Sequence, residues 1–249
     1  MEHLQKFVSN KFTLTLCFGG ISALTAFTIL RNKKEKNSQK KGKLYFHSVF
    51  RSNRCIWLLR ELNALEDYEL IDVDVWDKTS NESKSYTETV HPHTTVPALQ
   101  YDDLTLLESG AICMHLAEKY NSLIPTDLGE LYNILFYVCA TLDEVQEKLF
   151  VQFFFNEKNG TEDKNEIEHA TQKFNACAKY LVTCLREKEY ICGDKFSVAD
   201  CVLGYNMWWA SEMKEGILIQ KYPELLSYLE RLKSRPAFQQ TWASSKPVV

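Results

Sequence analysis

Thr94–Tyr120, TTVPALQYDDLTLLESGAICMHLAEKY, is the stretch whose reading decides the fold. Val96-Pro97 opens a short apolar run, Asp102-Asp103 supplies turn residues, and Leu104–Leu107 is a second run, a pattern that predicts a β-hairpin. Glu108-Ser109 then leads into a helical pattern ending at Tyr120. An X-Pro bond entering a strand adopts cis far more readily than other peptide bonds, and a cis bond here turns the Val96 backbone outward to pair with an extended peptide. At the helix start, Ser109 and the residues after it offer unpaired N–H groups and a positive dipole end, which suit a carboxylate. Glu108 beside it suits an ammonium. These features describe a pocket for a small zwitterionic peptide.

Upstream, Lys43–His47 (KLYFH) reads as a strand and Arg51–Asn63 as a helix with Ile56, Leu59 and Leu62 on its inner stripe. Tyr68–Val75 alternates as a second strand, and the polar DKTSNESKSY after it (residues 77–86) reads as a loop. The order strand, helix, strand, loop, hairpin, helix is that of a thioredoxin-like domain. Downstream, SLIPTD (122–127) reads as a linker with Asp127 as a cap. Leu128, Leu131, Leu135, Val138, Leu142, Val145 and Leu149 recur at steps of three and four and predict one long amphipathic helix. A second follows the polar break at 156–165, with Ile167, Ala170, Phe174, Cys177, Leu181 and Leu185 inside. Ser197 and Asp200 form a capping box with Phe196 and Cys201 as its hydrophobic staple, and Pro223 sits in the first turn of a later helix.

The 249 residues are 45% apolar and 25% charged, which excludes disordered and collagen-like classes. Eight cysteines match neither a zinc site nor a dithiol motif, so buried reduced thiols are expected and no metal. Residues 12–30, FTLTLCFGGISALTAFTIL, carry no charge and as a helix would extend about 28 Å, close to a bilayer core. A cleaved signal peptide is the rival reading, but no small-x-small site follows. Residues 1–43 carry net +7, which leaves −11 for the remainder of a chain of net −4. By the positive-inside tendency, the basic Arg31–Lys43 linker places the bulk of the protein in the cytosol, on the endoplasmic reticulum or mitochondrial outer membrane, with membrane lipid as a partner through residues 12–30. No nucleic-acid partner is expected.

VPAL followed by LLESGAI, GDKFSVAD at 193–200 and YPELLSYLERLKSRPAF at 222–238 together resemble the glutathione transferases, over residues 43 to about 242. Trp57–Leu62, WLLREL, resembles helix one of the bacterial and fungal branch. The resemblance implies an α+β fold: an N-terminal thioredoxin-like domain (43–121) followed by an all-α glutathione transferase C-terminal domain (127–249), here preceded by a single transmembrane helix within an anchor and basic linker (1–42). It implies transfer of glutathione, as co-substrate, to small apolar electrophiles, with reduction of organic hydroperoxides as a further activity, and a homodimer. The competing reading is a non-catalytic, membrane-tethered ligand- or protein-binding member of the same fold.

By the same resemblance, Val96 pairs its backbone with the cysteinyl part of glutathione, Pro97 is the cis proline, and Glu108 and Ser109 hold the γ-glutamyl end. The family often has Lys or Gln just before VP for the glycyl carboxylate. Here Thr95 stands there, with Arg51 as a compensating charge. The hydroxyl that favours the thiolate would fall on Phe50, which has no proton to give, so Ser52 and Ser48 are the catalytic candidates, with Ser52 also readable as an N-cap. Tyr45 is off register, Cys55 lies within the helix and His47 is a weaker donor candidate. The second substrate is expected against Phe136 and Trp208, with Tyr132 and Trp209 beside them.

Overall fold

The computed structural model describes residues 41–243. Four strands, β1 (Gly42–Phe46), β2 (Tyr68–Asp72), β3 (Ala98–Tyr101) and β4 (Leu104–Leu107), form one sheet of order β2-β1-β3-β4. β1 runs parallel to β2 and antiparallel to β3, and β3 pairs antiparallel with β4. Leu44 lies opposite Leu70 on one side and Leu99 on the other, and Leu44 and Leu99 are fully buried. Period-2 alternation puts both on the sheet face covered by α1 (Ser52–Glu61) and α3 (Ser109–Lys119).

The opposite face is covered by a helix where the sequence reads as a loop. α2 (Asn81–Thr89) is capped by Ser80, whose hydroxyl accepts from the Ser83 N–H at 3.1 Å. Its sequence, NESKSYTET, carries one large apolar residue, so no hydrophobic period announces it. That residue, Tyr86, joins Val73 and Ala98 in a small second core.

The second half is helical. α4 (Leu128–Tyr137), α5 (Asp143–Phe150) and α6 (Glu157–Asn159) follow one another through π-helical turns at Val138–Leu142 and Val151–Asn156. The expected stripe is buried from Leu131 through Leu149, whereas Leu128 is exposed. α7 (Lys164–Cys184), α8 (Val198–Glu212), α9 (Pro223–Lys233) and α10 (Pro236–Ala243) complete it. At the start of α8 the capping box forms as expected: Asp200 Oδ2 accepts from the Ser197 N–H at 2.8 Å and from its hydroxyl at 3.0 Å.

One apolar core runs through both halves. Trp57 of α1 is fully buried, with its ring 5.1 Å from Phe238 and 5.6 Å from both Phe196 and Trp242. Gly204 makes that seat: a Cβ there would lie 2.6 Å from a Leu232 methyl and 2.8 Å from the Trp57 ring.

The expected anchor at residues 12–30 lies outside the described residues. Among the described residues no helix is long and apolar enough to cross a membrane. α7, the longest, carries Lys and Glu along its length. The single-pass membrane placement is therefore corrected: the described elements include no such span, and their buried apolar residues pack into the protein's own core.

Candidate active site

Pairing of β3 with β4 sets Ala98 opposite Leu107, so continuing the same register brings Val96-Pro97 beside Glu108-Ser109. The Val96-Pro97 bond is cis, and the Val96 N–H and C=O make no hydrogen bond among the described residues. Glu108 has φ 68° and ψ 116°, a conformation that costs a non-glycine residue about 1–3 kcal/mol and that clusters at ligand sites. Its side chain is exposed. Ser109 begins α3, where the first N–H groups lack helical partners.

Behind Ser109 stands a buried polar network. Arg54 of α1 is fully buried, and its Nη1 donates to Ser109 Oγ at 2.9 Å. The same guanidinium grips Asp143 of α5 with two bonds, 3.0 Å to Oδ2 and 2.7 Å to Oδ1, and donates to Asn206 Oδ1 at 2.5 Å. Asn206 in turn donates to Asp143 at 2.8 Å and to Gln146 at 2.5 Å. Burial alone would lower the Arg54 pKa and raise that of Asp143. Their mutual attraction outweighs it, so Arg54 is held above and Asp143 below the ordinary value. Because Arg54 fills the Ser109 lone pair, the Ser109 hydroxyl proton is free to point at an incoming carboxylate.

The turn between β1 and α1 supplies the thiol end of the pocket. Ser52 is fully buried, its hydroxyl donates to the His47 C=O at 2.7 Å, and the same oxygen accepts the His47 N–H at 3.3 Å. Its proton is thus spent on the main chain, and it makes no N-cap bond. Ser48 is 9% exposed and its hydroxyl makes no hydrogen bond among the described residues. Val49, at φ 70°, is held by the Tyr205 hydroxyl, which donates to its C=O at 3.0 Å. Tyr45 donates to Gln100, His47 engages Asp72 through Nδ1 and Cys55 is fully buried. Arg51 turns to α5, against Asp143 at 3.2 Å and Glu147 at 3.0 Å, which removes it as the compensating charge for Thr95.

The expected second-substrate residues do not come together. Trp208 is 9% exposed and packs on Trp242 and Tyr205 in the core, so it is corrected to a structural residue, as is Trp209 against Phe150. Phe136 is 71% exposed and with Tyr132, Met114 and Cys139 lines a cavity of about 430 Å³ between α3 and α4. The aromatic wall that does join the two halves was not expected: Phe50 lies 5.6 Å from Trp76, Trp76 5.8 Å from Phe155, and Phe155 5.5 Å from Phe150. The Phe153-Phe154-Phe155 run after a helix, and a tryptophan in a polar loop, were the signals for it. For the Arg54–Asp143 pair the signal was a charge inside each of two apolar stripes.

The described cysteines form no disulfide, and among the described residues no group of His, Cys, Asp and Glu is placed to hold a metal. The family profile described as "Glutathione S-transferase, N-terminal domain" matches residues 41–118, and that described as "Glutathione S-transferase, C-terminal domain" matches residues 144–245. Glutathione S-transferase Z1 of Arabidopsis thaliana is 31% identical over 214 residues, 82% of this chain and 94% of that protein. Maleylacetoacetate isomerase of Mus musculus is 26% identical, over 83% of this chain and 95% of the isomerase. Among solved structures, a sphingomonad glutathione S-transferase complexed with glutathione superposes with TM-score 0.68 at 25% identity, covering 81% of this chain and 98% of that one. The relatives come from plants, animals and bacteria and single out no branch.

Proposed function

Since the chain belongs to the glutathione S-transferase family, we propose that it binds glutathione along Val96, Pro97, Glu108 and Ser109 and transfers it to small apolar electrophiles. The observation that carries this is the juxtaposition of an unpaired Val96 backbone with the Ser109 hydroxyl and the start of α3. The cysteinyl main chain pairs with Val96, the γ-glutamyl carboxylate takes the Ser109 hydroxyl and the α3 N–H groups, and the exposed Glu108 carboxylate takes the ammonium. This leaves the sulfur toward the β1–α1 turn, where Ser48 and the start of α1 favour the anion. The electrophile lies against Phe50, Trp76 and Phe155, and the same thiolate reduces organic hydroperoxides.

The test is retention of the full chain on immobilised glutathione together with conjugation to a chloronitrobenzene acceptor. Retention with turnover supports the transferase. Retention without turnover supports the second reading, a ligand-binding protein of the same fold, which Phe50 and the spent Ser52 proton favour. No retention overturns the transferase and leaves the second reading with a ligand or protein partner other than glutathione.

A homodimer is part of the proposal. Leu128, Tyr132 and Phe136 are 44, 43 and 71% exposed at intervals of four along α4, an apolar stripe that a second copy of the chain would bury. Phe136→Asp is expected to shift the protein from dimer to monomer in light scattering without lowering the helical signal in circular dichroism. A parent chain that is already monomeric would remove the dimer.

A further inference from the structure

The loop before the cis bond contains a polar arrangement that the glutathione reading leaves unused. His91 is 5% exposed. Its Nδ1 accepts the His93 backbone N–H at 3.3 Å, so the ring proton resides on Nε2, which lies 2.9 Å from Thr95 Oγ1. Nε2–H therefore donates to Thr95. A hydroxyl whose oxygen is already accepting has its own proton to offer elsewhere, and Thr95 is exposed beside Val96. The rest of the loop is pinned so that this geometry holds. The Tyr86 hydroxyl donates to the Thr95 C=O at 2.8 Å, the Thr94 N–H donates to the His91 C=O at 3.0 Å, and Thr94 Oγ1 lies 2.5 Å from Thr87 Oγ1. Thr94 has φ 55°, costly for a β-branched side chain, and this strain is held by those same bonds.

We propose that His91 is a positioning residue which fixes the polarity of the Thr95 hydroxyl, so that this uncharged side chain serves as the donor to the carboxylate at the C-terminal end of the bound peptide. The inference rests on the glutathione reading of the site. A peptide whose amino end is held at Glu108 and Ser109 and whose middle pairs with Val96 directs its other carboxylate to the Thr95 side. With Arg51 committed to Asp143 and Glu147, no guanidinium from α1 competes for that role. A freely rotating threonine would divide its time between donor directions and water. One whose lone pair is filled by a buried imidazole points its proton one way. His91 serves this as the neutral ring: burial, reinforced by His93 and opposed by Glu108, lowers its pKa.

The experiment is equilibrium binding of glutathione, and of its glycyl monoethyl ester, to the full chain. The parent is expected to prefer glutathione over the ester about tenfold, the worth of one charge-assisted hydrogen bond. Thr95→Val and His91→Leu are each expected to abolish that preference, weakening glutathione binding while leaving ester binding within about twofold. His91→Gln keeps an N–H near the Nε2 position and is expected to restore it. In a Thr95→Lys background, where the charge contacts the carboxylate directly, His91→Leu is expected to have no effect on the preference. A loss of affinity equal for acid and ester in His91→Leu would make His91 merely structural and overturn the proposal, as would a preference retained in Thr95→Val. A parent that binds neither compound overturns the glutathione reading and this inference with it. One that binds both equally overturns the inference alone.

Discussion

Asp143→Ala is expected to lower the unfolding free energy by about 3–5 kcal/mol, because it leaves the fully buried Arg54 guanidinium without its counter-ion. No nearby carboxylate takes its place: Glu147 is engaged by Arg51, and the remaining hydrogen-bond partners of Arg54 are the uncharged Ser109, Asn206 and Cys139. The deficit reflects an uncompensated buried charge and is not the net worth of the pair. Replacing both members by apolar side chains, Arg54→Met with Asp143→Leu, should therefore recover most of it. Urea unfolding of the three variants beside the parent checks this, and a loss under about 1 kcal/mol for Asp143→Ala would show that the site relaxes to admit solvent. The pH dependence has a definite sign. The Asp143 pKa is lowered in the folded chain, so its contribution is complete above the ordinary carboxylate range and is lost as pH falls through the lowered value. Acid should thus unfold the parent in a step that the double variant lacks. Losing Asp143 should also weaken glutathione binding, since Arg54 is what orients the Ser109 hydroxyl.

The parts of this protein that local rules determine were legible, and those that depend on distant partners were not. Val96, Pro97, Glu108 and Ser109 sit within fourteen residues joined by one hairpin, so turn chemistry and strand period were enough to place them together. α2 escaped because it buries one tyrosine and a serine, and its stability comes from a serine cap and from Tyr86 packing on the sheet. The π-helical turns were invisible because a single inserted residue shifts the helical phase without breaking the stripe of leucines. Trp208 was misread because a large aromatic residue on a helix carries no mark of which side faces the core; its burial depends on Trp242, 34 positions away. For Ser52, sequence could name an N-cap or a catalytic donor, and the structure places its hydroxyl on the backbone of His47, a contact set by how tightly the β1–α1 turn closes.

That closure distinguishes the two serines as hydroxyl donors. Of the two serines in the turn, Ser52 has given its proton to a carbonyl, while Ser48 keeps a hydroxyl with no partner among the described residues. Ser48→Ala is accordingly expected to lower turnover near neutral pH by about 100-fold, as the loss of one preorganised donor to a developing anion typically does. Affinity for glutathione should change little. A donor that favours the thiolate lowers the thiol pKa, so its removal should raise the apparent pKa of bound glutathione toward the free value near ~8.5. The deficit should then shrink as pH rises past that point, where the thiolate forms without help. Ser52→Ala should behave oppositely, costing about 1–3 kcal/mol of stability through the unsatisfied His47 main chain and leaving the thiol pKa in place. Ultraviolet titration of the bound thiolate in the two variants separates these outcomes. A raised pKa in Ser52→Ala with none in Ser48→Ala would mean that the turn opens when glutathione enters and hands the proton of Ser52 to the sulfur.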